Sequence, residues 1–98
     1  MAQKRRKPFK VPPRLGPCSG LVPIGSGAMG AVFKGHHEGM GIDVAVKVLN
    51  PKLGRKEPTT LKRFVREVRL LAAINDPHVV RVYDAGQQDQ YTYMIMEL

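Results

Sequence analysis

Cysteine occurs once in the chain, at Cys18. No internal disulfide can form, so a reducing compartment is the default and a cytoplasmic location is expected. A single thiol ahead of a strand reads as incidental rather than catalytic. Long apolar runs are missing as well, and without a stretch of about 20 such residues no membrane span is expected. The basic opening MAQKRRKPFKVPPRLG has no apolar segment behind its charges, which excludes a secretory signal peptide. Beyond Phe9 it also lacks aromatic side chains on which bases could stack, so no specific nucleic-acid partner is expected. Histidines and carboxylates at metal-ligand spacing are absent: His36 and His37 fall at a turn, and His78 has no second ligand near it.

What is present is one small domain's worth of chain. Its 98 residues are 43% hydrophobic, which is close to the lower limit for a self-sufficient core. The formal charge is +8, but Lys4, Arg5, Arg6, Lys7, Lys10 and Arg14 supply six of the sixteen cations. From Leu15 onward ten basic residues face eight acidic ones, so the excess belongs mostly to a leader. Residues 1–16 are therefore expected to be a disordered basic leader, and residues 17–98 a folded domain.

Along that domain, SGLVP reads as a strand in which Pro23 is tolerable only at an edge or a bulge. AVFKGHH is a second strand, followed by the turn EGMG. In DVAVKVLN the residues Val44, Val46 and Val48 share one face, while Ala45, Lys47 and Leu49 share the other. Lys47 is thereby set in mid-strand among apolar neighbours. TTLKRFVREVRLLAAI has helical spacing, with Leu61, Phe64, Val65, Val68, Leu71 and Ala72 on one stripe and Lys62, Arg66 and Arg69 opposite. Glu67 is its only acid and falls at the border of the stripe. Thr59 or Thr60 can cap the start, and Asn75 with Pro77 ends it. HVVRVYDAG and YTYMIMEL complete the pattern as two strands joined by QQDQ.

The most informative stretch is IGSGAMGAVFKG, residues 24–35, where Gly25, Gly27 and Gly30 have G-x-G-x-x-G spacing. A dinucleotide-binding unit would open a helix at the last glycine, yet a strand and a turn follow here. No Gly-Lys-Ser/Thr follows either, which removes the Walker loop. There remains a glycine-rich hairpin whose backbone N–H groups can approach phosphate oxygens, or an ordinary glycine-rich turn.

The combination of GSGAMGAV with VAVK and the helix that follows resembles the amino-terminal lobe of protein kinases, over residues 21–98. GAMGAVFKG and RFVREVRLLAAINDPHVVRVYDAG resemble the bacterial serine/threonine kinases in particular. The resemblance implies an α+β lobe: a five-stranded antiparallel sheet with one long helix. It implies that Lys47 pairs with ATP phosphates and is held by Glu67. It places Ile24, Val32 and Ala45 against adenine, with Gly25, Ser26, Gly27, Ala28, Met29 and Gly30 as a flap over the phosphates. Met96 would guard the back pocket, Glu97 would offer its carbonyl to the adenine amino group, and Leu98 would lie near the next hinge contacts. The implied partners are ATP, a protein substrate bearing serine or threonine, and the missing carboxyl-terminal lobe. That lobe would bring the catalytic base and the ligands for Mg, so the chain ending at Leu98 is expected to be truncated at the hinge and inactive alone. A pseudokinase-like, non-catalytic interaction module on the same fold is the alternative.

Overall fold

The computed structural model describes residues 10–27, 30–52, 58–74, 78 and 80–98. Six strands form one antiparallel sheet: β1 (Arg14–Leu15), β2 (Cys18–Ser26), β3 (Gly30–His37), β4 (Ile42–Leu49), β5 (Val82–Gln88) and β6 (Tyr91–Met96), in the order β1-β2-β3-β4-β6-β5. The helix α1 (Pro58–Ala72) lies against β5 and β6.

The alternation read in β4 separates two faces. Across the sheet Ala31 opposes Val48, which opposes Tyr93, and Phe33 opposes Val46, which opposes Ile95. Directly opposed residues project to the same side. These six, with Leu15, Cys18 and Val44, make the buried core. The other side carries Val32, Lys47 and Met94 in one row and Ala45 with Met96 in the next.

Two expectations are corrected. The sheet has six strands rather than five, because the chain folds earlier than residue 17. Leu15, assigned to the leader, is fully buried, and β1 pairs with β2 through Leu15 opposite Cys18. Residues 10–16 run over the open end of the sheet. There the Gln88 side chain accepts from the Gly16 N–H at 2.8 Å and donates to the Arg14 carbonyl at 2.8 Å. Tyr91 donates its hydroxyl to the Lys10 carbonyl at 3.0 Å. Arg14 forks onto Glu38 at 2.6 and 2.8 Å. Prolines and cations hid this segment, since its one core side chain has no periodic neighbours.

The last hairpin also differs. β5 starts at Val82, not at His78, and Gln87 and Gln88 belong to the strand rather than the turn. A turn at Asp89 and Gln90, with Asp89 at φ 54°, fixes pairing from Gln88 opposite Tyr91 to Val82 opposite Met96. Asp tolerates that left-handed geometry better than most residues. Pro23 behaves as expected. β1 pairs only with Cys18 and Ser19, so Pro23 sits on a free edge, next to a register shift before Gly25. The helix opens on Pro58 itself, which puts Thr59 and Thr60 inside its first turn; Asn75 and Pro77 lie outside the described residues.

Candidate nucleotide site

The candidate residues converge on the sheet face opposite the core. One transverse row crosses five strands: Gly25 opposes Val32, Val32 opposes Lys47, Lys47 opposes Met94, and Met94 opposes Ala85. In the neighbouring row Ala45 opposes Met96. Val32, Lys47 and Met96 are half-buried and Ala45 is buried, so this face is a shallow apolar floor that carries Lys47 in one row and, opposite Ala45 in the next, Lys34, which pairs with Asp43 at 3.8 Å. Ile24 lies at the register shift in β2 and is 56% exposed, beside that floor.

The three glycines of the loop are not equivalent. A Cβ on Gly30 would lie 2.1 Å from the Val48 carbonyl oxygen, so this position must be glycine for β3 to close on β4. Gly25 and Gly27 have no such reason. A Cβ on either meets nothing within 4 Å among the described residues, and neither has a positive φ. Among the described residues the space above them is open. The Gly27 N–H donates to the Gly30 carbonyl at 2.9 Å; Ala28 and Met29 lie outside the described residues.

Among the described residues the ion pairs are Arg14–Glu38, Lys34–Asp43, His36–Asp43 and Arg69–Asp84. Lys47 and Glu67 do not form one, and Glu67 is exposed on α1. The Lys47 side chain is thus half-buried, with no ion-pair partner among the described residues. Such a cation favours an incoming anion. At the far end of β6 the Glu97 N–H donates to the Arg81 carbonyl at 2.8 Å, and the Glu97 carbonyl makes no bond among the described residues. Leu98 is 58% exposed there.

Sequence reasoning missed Arg69. Read as a solvated cation, it instead donates to Asp84 Oδ1 at 3.4 Å and to the Ala85 carbonyl at 3.1 Å, tying the helix to β5. The only signal was its position beside Val68, which is buried. No group of three His, Cys, Asp or Glu side chains that could hold a metal exists among the described residues.

Comparison with known proteins points to one family. Residues 19–98 match the family model described as the protein kinase domain. The serine/threonine-protein kinase pkn2 of Myxococcus xanthus is 42% identical over 77 residues, 79% of this chain and 9% of that protein. A probable serine/threonine-protein kinase of Streptomyces coelicolor is 40% identical over 91 residues, covering 88% of this chain and 13% of the relative. Among solved structures, the PknI kinase domain of Mycobacterium tuberculosis superposes with a TM-score of 0.75 at 29% identity, covering 85% of this chain and 33% of that one. The chain thus spans about a third of a solved kinase domain and a small part of its curated relatives.

Proposed function

The chain belongs to the protein kinase family, and from that premise we propose that it forms the ATP-binding part of a serine/threonine kinase. The observation that carries this reading is the pair Gly25 and Gly27, whose missing side chains nothing among the described residues requires, at the head of a row that leads to Lys47, which has no ion-pair partner among the described residues. Their missing side chains leave the backbone N–H groups open to phosphate oxygens. Lys47 binds the phosphates as a point charge, and Glu67 holds Lys47 when α1 brings it within reach. Ile24, Val32, Ala45 and Met96 offer a flat apolar seat to the adenine, and the Glu97 carbonyl accepts from its amino group. Ser26, Ala28 and Met29 form the flap, Gly30 sets its root, and Leu98 adjoins the hinge.

The proposed reaction of the whole kinase is transfer of the ATP γ-phosphoryl group to a protein serine or threonine hydroxyl, with Mg as the charge-neutralising ion. In this reading the base and the metal ligands belong to the part of a kinase domain that this chain, which spans about a third of a solved one, does not cover. The proposed location is the cytoplasm, where ATP is available and Cys18 stays reduced. Among the described residues no helix is long and apolar enough to cross a membrane.

The test is an ATP titration of the purified chain, with and without Mg, followed by ligand-observed NMR. Saturable binding that is lost in Lys47→Ala is expected. Absence of binding in a chain shown to be folded would overturn the ATP reading and favour a non-catalytic interaction module.

A further inference from the structure

A second polar cluster lies on the same face of the sheet as Lys47, four residues along β3 and so about 13 Å from the row of Val32. There Arg14 on β1 opposes Ser19 on β2, Ser19 opposes His36 on β3, and His36 opposes Asp43 on β4. Directly opposed side chains share a face, so the half-buried Ser19 stands between a guanidinium and an imidazole. Glu38, just past the end of β3, reaches back over this row. It takes the Arg14 fork at 2.6 and 2.8 Å and accepts from Ser19 Oγ at 3.1 Å. Its Oε1 serves both Arg14 Nη2 and Ser19 Oγ, which marks one position for an oxyanion beside the hydroxyl. Lys34 and His36, the other cationic or titratable groups of β3 on this face, are both held by Asp43, at 3.8 and 3.0 Å.

We propose that Ser19 is a phosphorylation site, and that a phosphate on it takes the Arg14 fork from Glu38. A phosphoryl group on Oγ brings its oxygens to the region that Glu38 Oε1 now holds. Carrying about −1.5 to −2 charges, it competes well with one carboxylate for that fork. In the transfer, Ser19 Oγ bonds to the γ-phosphorus of Mg-ATP and the bond from that phosphorus to the bridging oxygen breaks. ADP leaves, and the hydroxyl proton passes to the base of the kinase that acts on this chain. The chain is the substrate here, so the proposal is independent of its own nucleotide site. Access comes through β1, which is held to the sheet by two residue pairs and opens locally to free the outer side of Ser19. Glu38 ties Arg14 to the end of β3, whereas a phosphate on Ser19 ties it to the strand directly opposite. Modification thereby fastens residues 10–16 over Leu15 and the buried Cys18.

The test has two arms. In the first, the full chain is incubated with Mg-ATP and a purified bacterial serine/threonine kinase domain, and modified residues are located by tandem mass spectrometry. Phosphate on Ser19 is expected; its absence both from the parent and from Leu15→Ala, in which β1 is loosened, would overturn the site. In the second, phosphoserine is placed at residue 19 by genetic encoding and its second ionisation is followed by phosphorus NMR. Free phosphoserine ionises at about pH 6. Engagement by Arg14 is expected to bring the midpoint to about pH 5, and Arg14→Gln to return it to about pH 6 or above. A midpoint of about 6 or higher with Arg14 present, or one that Arg14→Gln leaves in place, would mean that the carboxylates of Glu38 and Asp43 dominate and would overturn the exchange of partners. Labelling of the Cys18 thiol is expected to slow by about two- to fivefold on modification and to recover in Arg14→Gln. Unchanged labelling would overturn the fastening of residues 10–16.

Discussion

At the scale of single residues, the glycine loop divides into structure and function. Gly30 is fixed by the Val48 carbonyl, and Gly30→Ala must move the backbone of β3 or β4. Overpacking of this kind costs about 1–3 kcal/mol. Gly25→Ala and Gly27→Ala meet open space at negative φ, so stability is expected to stay within about 0.5 kcal/mol of the parent. Urea unfolding of the three variants checks the first half of this contrast. Nucleotide affinity checks the second, since methyl groups at residues 25 and 27 occupy the space proposed for phosphate. A stable Gly30→Ala variant would contradict the packing argument outright.

At the scale of elements, the short β1 does more than its length suggests. Leu15 caps the core directly against Cys18, and burial pushes the Cys18 thiol above its ordinary range. A raised, buried thiol reacts slowly. Leu15→Ala is expected to cost about 2–5 kcal/mol and to expose Cys18 to thiol reagents. Gln88→Ala removes the partner of the Gly16 N–H and of the Arg14 carbonyl at a site water can reach, at about 0.5–1.5 kcal/mol. Rates of thiol labelling in native buffer read both effects. Labelling as slow as in the parent would show that residues 10–16 are dispensable to the core.

At the scale of the molecule, acid stability follows from carboxylates on the sheet's far end. Arg14 and Ser19 hold Glu38 below the usual carboxylate range by hydrogen bonds, with the Arg14 charge adding to them. The His36 ring and the Lys34 charge do the same for Asp43. A lowered folded value means that the contribution is fully present above about pH 4, where unfolded carboxylates ionise, and is lost as pH falls through the folded value. Both groups are exposed, so the effect is small. The urea midpoint of the parent is expected to exceed that of Glu38→Gln with Asp43→Asn at pH 6, and the difference to shrink below pH 4. A constant difference across that window would place the effect in packing rather than charge. The same far end carries residues 10–16, so acid also loosens the segment that closes the core.

Much of this was written in the chain. The period-two alternation around Lys47, the 3.6 period of α1 and the glycine spacing depend on nearby residues alone, so the sequence showed five of the strands, the helix and the family resemblance. β1 was invisible, because one leucine among prolines and cations becomes a strand only when Cys18 and Gln88 arrive from elsewhere in the chain. The start of β5 was set by its hairpin partner, not by its own apolar residues. The same holds at the site. Sequence placed Lys47 and Glu67 on facing elements, whereas the distance between them is a rigid-body property of a helix on a sheet. The seat of the helix rests on contacts such as those of Arg69 with Asp84 and Ala85, between residues 15 or more positions apart, which no local pattern can set.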